Sequence, residues 1–193
     1  MKKLTHADLW KLEDYSRERH AFRAKVIAHK KTRKVHLGPH LTLIFEDRMT
    51  IQYQVQEMLR IERIFEAAAI DEELGAYNPL IPDGANLKAT LLIEYDDVEM
   101  RKRELAKLRD VEHHVRVLIE GVEPVDAIAD EDMDRSNEEK TSAVHFLRFE
   151  LPDDARRAVK AGARVTISIE HPQYPARTEL PEAARTSLAS DLR

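Results

Sequence analysis

The spacing of apolar residues along the chain predicts a mixture of strands and helices. Between His40 and Glu46, the residues Leu41, Leu43 and Phe45 share one side, which is the two-residue period of a strand. Similar patterns predict further strands over residues 87–95, 115–120, 142–151 and 164–170. Helical spacing and end signals predict helices over residues 5–14, 16–31, 51–65, 70–76, 98–108, 152–161 and 181–192.

The order of these elements favours an α+β fold with a largely antiparallel sheet or a partly closed β-barrel. Single helices do not regularly separate the strands, as they would in a doubly wound parallel sheet. Helices flank this sheet, and an N-terminal helical segment precedes it. The 193 residues fit one domain, divided into a basic helical segment at 1–36 and an α+β core at 37–193.

The clearest helix, predicted from Ile51 to Phe65, carries an acidic residue within its apolar stripe. The stripe consists of Ile51, Val55, Met58 and Phe65, and the position missing from its spacing is Glu62. A carboxylate turned toward the core needs a partner, because burying it unpaired is costly. Three explanations are open: an ion pair with an arginine, a metal ligand or general base, or a helix phase that leaves Glu62 exposed.

Two histidines at or near the starts of strong strands, His40 and His145, are candidates to join this carboxylate. If they meet Glu62, or Glu57 one position off the stripe, these side chains form a metal site of the His/carboxylate type. Imidazole and carboxylate ligands suit iron or another transition metal, which is the cofactor that this arrangement predicts. The commoner alternative for each histidine is a structural role with its hydrogen bonds satisfied.

The absence of cysteine narrows the chemistry further. A chain with no cysteine has no disulfide, no thiolate metal site and no cysteine nucleophile. No apolar run approaches the roughly 18 residues that a membrane span requires, and the first residues lack an apolar leader segment. We therefore expect a cytoplasmic protein that does not contact the membrane.

Charge is distributed unevenly along the chain. Between Arg17 and His36, eight basic residues accompany one acid, which gives a local charge of +7 within a chain of net charge −5. The eight are Arg17, Arg19, Arg23, Lys25, Lys30, Lys31, Arg33 and Lys34. This block could contact the chain's own acidic surface, an acidic partner or nucleic acid, and nucleic acid is the weakest of the three readings. Residues 126–139, with seven acids and one arginine, are predicted to form an exposed loop.

No catalytic or nucleotide-binding signature is present in the sequence. The phosphate-binding patterns G-x-x-x-x-G-K-[ST] and G-x-G-x-x-G are missing, as are G-x-S-x-G and H-E-x-x-H. Five glycines also leave little material for loops that cradle phosphates. The sequence therefore does not establish whether the protein is an enzyme.

Several segments carry a family resemblance that extends over nearly the whole chain. They are GPHLTLIFEDR at residues 38–48, QVQEMLRIERI at 54–64, EEL at 72–74, AYN at 76–78, LKATL at 87–91 and SAVHFLRF at 142–149. These segments resemble a bacterial family called domain of unknown function 3501. Members of that family are encoded near rubrerythrin-like proteins and iron–sulfur proteins, which implies a link to peroxide or oxygen stress.

Three hypotheses about function follow from the residues and the resemblance. The leading one is an accessory or binding protein of a bacterial oxidative-stress or iron-linked system, which binds a partner protein and could also bind a metal ion. The resemblance implies a rubrerythrin-like or iron–sulfur partner, and a homodimer is also open. The alternative is a metal-dependent enzyme, or a metal- or haem-binding protein, that uses His40, Glu57, Glu62 and His145. The weakest is nucleic-acid binding through the basic N-terminal helix.

Overall fold

The computed structural model describes residues 1–129 and 141–193, which form two antiparallel sheets and six helices. The helices are α1 (Leu12–Lys30), α2 (Arg48–Glu62), α3 (Ala67–Tyr77), α4 (Val98–Lys107), α5 (Asp153–Lys160) and α6 (Glu182–Ala189). The strands are β1 (Lys34–Leu37), β2 (Leu41–Phe45), β3 (Asn86–Ile93), β4 (Val115–Ile119), β5 (Val125–Asp126), β6 (Ile128–Ala129), β7 (Val144–Glu150), β8 (Val165–His171) and β9 (Tyr174–Glu179). This arrangement confirms the predicted α+β class.

The two sheets meet at their edges through side chains. The first sheet has the order β1-β2-β3-β7-β6 and the second β5-β4-β8-β9. Tyr174 on β9 donates its hydroxyl hydrogen to the carbonyl of Leu37 at 2.8 Å and accepts the backbone N–H of His40 at 2.9 Å. Thr178 donates to the carbonyl of His36 at 2.8 Å. Within the described ranges the sheets remain separate ladders, so they are not closed into a barrel.

Alternation along the strands places one set of apolar side chains in a core shared by both sheets. In the first sheet, Leu43 of β2 lies opposite Leu91 of β3. In the second, Val117 of β4 lies opposite Ile167 of β8, and α4, α5 and α6 add apolar residues to the same core. A smaller cluster joins the first residues of the chain to α2 and α3: Leu4, Ile51, Val55, Leu59, Leu74 and Ile81. The fold therefore consists of a sheet core and a helical layer.

The N-terminal helices differ from their prediction. A 3-10 turn at His6–Asp8 replaces the predicted helix over residues 5–14, and α1 then runs without a break through Tyr15. Tyr15 lies in the first turns of this helix and is buried. Among the helices described, none is both long and apolar enough to cross a membrane.

Short strands account for most of the other differences. Strand β1 was missed because only Val35 and Leu37 alternate there, and β9 was missed because its residues are mostly polar or half-exposed. Both segments are strands because β1 pairs with β2 and β9 pairs with β8. The exposed loop predicted from residue 126 is wrong at its start, where β5 and β6 form, and its remainder lies outside the described residues. The division at residues 36 and 37 stays a prediction, although β1 spans it.

A buried arginine, Arg33, joins the helical layer to the sheets. Its side chain is 1% exposed. Nε donates to the carbonyl of Phe45 at 2.9 Å, and one terminal nitrogen donates to the carbonyl of Glu46 at 3.1 Å. The guanidinium forms an ion pair with Asp191 near the end of the chain and lies 3.5 Å from Asp47 at the start of α2. Three segments distant in sequence, around residues 33, 45–47 and 191, are therefore joined by this one cation.

We expect Arg33→Ala to lower the free energy of unfolding by about 3–5 kcal/mol, because the substitution leaves Asp191 buried without its cation. Urea unfolding followed by circular dichroism measures the change. The control is Arg17→Ala, which removes an exposed pair with Asp14 and should have little effect. Equal effects from the two substitutions would show that the buried pair does not hold the layers together.

Candidate functional site

Helix α2 buries a different stripe from the one that the sequence predicted. Ile51, Val55 and Leu59 are its buried apolar residues, which gives a spacing of four throughout. Glu62 is the last residue of the helix and is exposed, because Arg63 adopts a left-handed conformation with φ 55° and ends the helix there. The expectation that Glu62 faces the core is therefore wrong, and its alternative, a different helix phase, is confirmed.

Glu57 is held by side chains from α1. Its two carboxylate oxygens accept hydrogen bonds from Arg19 at 2.7 and 2.8 Å, which is the bidentate geometry of a strong ion pair. The Tyr15 hydroxyl donates to the same carboxylate at 2.7 Å, and Arg60 approaches within 3.3 Å. The Arg19 hydrogen bond is the main reason that the pKa of Glu57 falls to about 2. Glu57 is thus a fixed anion that fastens α1 to α2.

Aromatic side chains surround this ion pair. Tyr15 is fully buried, and burial, followed by the Glu57 hydrogen bond, raises the pKa of its phenol far above the usual value. The ring of Trp10 meets that of Phe22 edge-on at a centroid distance of 4.9 Å, and Phe22 meets Tyr53 at 5.9 Å. These rings line the seam between α1 and α2.

Asp47 connects the other end of α1 to α2. It caps α2 by accepting the backbone N–H groups of Met49 and Thr50, each at 2.9 Å. The Nε2 atom of His29, in the last turn of α1, lies 2.5 Å from its second oxygen. Burial tends to raise the pKa of Asp47, but Arg33, the Thr50 amide and His29 outweigh burial and lower it. Asp47 is therefore a structural anion.

His145 lies on the inner face of β7 and is fully buried. Its Nε2 atom is 2.8 Å from the hydroxyl of Thr141 and 3.0 Å from the carbonyl of Ser142. The carboxylate of Glu112, itself 3% exposed, lies 3.6 Å away. His145 therefore lies among Thr141, Ser142 and Glu112 in the buried core of the sheet.

His40 lies in the turn immediately before β2 and is half-buried. Its ring stacks on Tyr95 at a centroid distance of 4.0 Å, and its Nδ1 atom is 3.1 Å from the carbonyl of Glu94. Neither contact involves Glu57, Glu62 or His145. Glu57, His145 and His40 contact different neighbours and Glu62 is exposed, and the described ranges contain no group of three or more acids and histidines that could hold a metal ion. The metal site stays a prediction that this geometry does not support.

The basic block predicted from the sequence divides into two classes of residue. Arg19 and Arg33 pair with acids of the fold, and Arg17 forms a local pair with Asp14. Among the residues described, the other five cations form no ion pair, and they are exposed or half-buried: Arg23, Lys25, Lys30, Lys31 and Lys34. Most of the block's charge is therefore not neutralised by the protein's own acids.

Three of these cations and an exposed isoleucine form what we call the basic stripe of α1. Arg23, Ile27, Lys30 and Lys31 are spaced at i, i+4, i+7 and i+8, so they lie along one side of the helix. Ile27 is 46% exposed, so an apolar side chain lies among the cations of the stripe. The helical spacing of the cations was the available sequence signal, but only packing shows that this side of α1 faces outward.

A groove lies on the other flank of α1, beside the first turn of α2. Its volume is 690 Å³, and Trp10, Phe22 and Met49 form its apolar surface. Two charged residues of α1, Glu18 and Lys25, also line it. The groove joins residues from three separate segments, so no local sequence pattern predicts it.

We expect Glu57→Gln to remove a pH-dependent part of the stability. The pKa of Glu57 is lowered from 4.5 to about 2 in the folded protein, so its ionised form stabilises the fold above about pH 4.5. That contribution is lost as the pH falls toward 2. The substitution should cost about 2 kcal/mol at neutral pH, and the variant and wild type should converge near pH 2.

Urea titrations at several pH values measure this difference. Glu62→Gln is the matched control, because Glu62 is an exposed acid on the same helix and its removal should cost little stability. If both substitutions lowered the free energy of unfolding by the same amount at every pH, the assigned role of the Arg19–Glu57 pair would be contradicted.

Comparisons with known proteins agree with this fold. A crystal structure of a novel protein of unknown function from Burkholderia pseudomallei K96243 is 50% identical, covers 100% of both chains and superposes with a TM-score of 0.95. The comparison with curated proteins finds no match. Residues 3–192 match the family described as "Protein of unknown function (DUF3501)". Because that match spans nearly the whole chain, the protein belongs to the DUF3501 family.

Proposed function

We propose that this protein is an accessory protein that binds an acidic partner protein through the basic stripe of α1. The observation that carries the proposal is the set of exposed cations on α1 that the fold itself does not use. Arg19 and Arg33 pair with acids of the fold, whereas Arg23, Lys30 and Lys31 form no ion pair within the described residues. Additional cations that repel one another on one surface have a physical purpose if a partner neutralises them.

The overall charge of the chain also favours docking of an acidic partner on α1. The protein carries a net charge of −5, so an acidic partner is repelled by most of its surface and attracted by the stripe. Such a contrast orients the partner on α1 and excludes other approaches. Electrostatic complementarity of this kind gives speed and specificity of association more than affinity.

Ile27 supplies the apolar contact that charges alone do not. It lies between Arg23 and Lys31 on the stripe and is nearly half exposed. Protein interfaces commonly place an apolar residue at the centre and charged residues at the rim. An acidic surface with an apolar residue among its carboxylates would match this arrangement.

The biological setting that we propose is a bacterial oxidative-stress or iron-linked system. The family resemblance supports it, because rubrerythrin-like and iron–sulfur proteins are the partners that the resemblance implies. Metal binding is not needed for this role. The role therefore does not depend on whether His40, Glu57, Glu62 and His145 bind a metal.

The double substitution Arg23→Glu/Lys31→Glu tests the proposal. We expect it to weaken binding to purified rubrerythrin-like or iron–sulfur partner candidates by about tenfold or more, because each reversal turns an attraction into a repulsion. Biolayer interferometry at two salt concentrations measures the affinities. Wild-type binding should weaken as salt rises, while the variant should show less salt dependence.

The control is Arg157→Glu/Lys160→Glu on α5, which reverses two exposed cations away from α1. It should bind the partner as wild type does. Equal losses in both variants, or no binding by any candidate, would overturn the proposal. Tight, steeply salt-dependent binding to an oligonucleotide without binding to acidic proteins would favour a nucleic-acid function instead.

A further inference from the structure

The groove beside α1 has an apolar floor that remains partly open to solvent. Trp10, Phe22 and Met49 are each half-buried, although aromatic residues in a finished core are usually covered more fully. The groove's 690 Å³ lies within the size range of pockets that enclose a small ligand or a few side chains. An apolar side chain placed there would cover surface that the protein leaves exposed.

Two charged side chains and one polar side chain of the groove wall already have partners. Arg48 forms an ion pair with Asp8, and Asp47 is occupied by His29 and by capping α2. Gln52 donates its side-chain N–H to the backbone carbonyl of Asp8 at 2.6 Å. These groups therefore build the wall, and they are not the ones that select a ligand by charge.

Two charged residues in the groove wall have no ion pair within the described ranges. Glu18 and Lys25 lie on α1 at i and i+7, so they share a side of the helix about 10.5 Å apart along its axis. Phe22 lies between them on the same side. The order along the groove is thus an anion, an apolar surface and a cation.

We propose that this groove binds an extended peptide segment whose apolar side chain lies between a basic and an acidic side chain. The distance from Glu18 to Lys25 corresponds to about three steps of extended chain, and the first and fifth residues of a strand, roughly 13 Å apart, can reach both groups because all four charged side chains are flexible. In such a chain, every second side chain points to the same side, so three side chains of one strand can reach the anion, the floor and the cation. The basic side chain pairs with Glu18 and the acidic one with Lys25.

This inference rests on the proposed function, because the segment would belong to the same partner protein that binds the basic stripe. The two sites lie on different flanks of α1 and can be tested separately. A compact ligand with one charge would satisfy Glu18 or Lys25 and leave the other unpaired. The separated opposite charges therefore favour a peptide over a small molecule.

The test uses a capped pentapeptide, Lys-Ser-Leu-Ser-Glu, titrated to millimolar concentration. Trp10 is the only tryptophan of the chain and lines the groove, so its emission reports occupancy directly. We expect a blue shift with the leucine peptide and at least tenfold weaker binding when glycine replaces leucine. Equal responses to the two peptides, or no response to either, would overturn the inference.

Substitutions on α1 locate the site. Ala21→Phe fills the groove and should weaken binding of the leucine peptide at least tenfold, whereas Ala24→Phe, an exposed change outside the groove, should not. Lys25→Glu should reverse the charge preference at its end of the groove. Lys-Ser-Leu-Ser-Lys should then bind better than Lys-Ser-Leu-Ser-Glu. Unchanged preference in Lys25→Glu would show that the charges do not select the ligand.

The same titration with Arg23→Glu/Lys31→Glu separates this inference from the proposed function. These residues lie outside the groove, so the variant should still bind the pentapeptide. If the pentapeptide does not bind but the Arg23→Glu/Lys31→Glu variant loses binding to an acidic partner, only the groove proposal is overturned. If the pentapeptide binds but the Arg23→Glu/Lys31→Glu variant binds the acidic partner as tightly as wild type does, only the proposed function is overturned.

Discussion

The position of the helical layer depends on the buried guanidinium of Arg33. Its donors reach the carbonyls that end β2, the hydroxyl of Ser187 on α6, and the carboxylate of Asp191. A buried cation is costly unless nearly all of its hydrogen bonds are made, so few other arrangements of these segments are tolerated. Arg33 thereby orients the end of α1, the start of α2 and the end of the chain with one group.

Helix α1 is held at two points and covered at few others. Arg33 and His29 attach its end to Asp47, and Arg19 attaches its first half to Glu57. Between these attachments, Val26 is the buried apolar residue. A helix with so little buried surface gains its stability from these tertiary contacts and not from its own sequence. Its outer surface is therefore free to carry residues that do not serve folding.

The features that suggest function converge on this helix. The basic stripe occupies one flank, and the groove with Trp10 occupies the other. By contrast, two of the polar residues that the sequence singled out as candidate ligands are engaged by neighbours within the fold. Glu57 is neutralised by Arg19, and His145 lies in a buried polar cluster with Thr141. Buried or paired groups of this kind stabilise a structure more often than they react.

Much of the architecture follows from local patterns. Alternation in residues 41–45 and 144–150 identified two central strands, and helical spacing located α2 and α4 to within a few residues. Strands β1 and β9 were not recognisable, because their pairing with β2 and β8 decides them more than their own residues do. Periodicity also misplaced Glu62, since the end of α2 at Arg63 changes which residues can face the core.

The sequence by itself determined the α+β class, the absence of thiol chemistry and the concentration of positive charge near residues 17–36. Only the tertiary structure decided which of those charges are used in folding and which remain outside it. The reason is physical: whether Arg33 is buried or Arg23 is exposed depends on acids and carbonyls brought close from distant parts of the chain. A one-dimensional pattern contains the charges but not the distances between them.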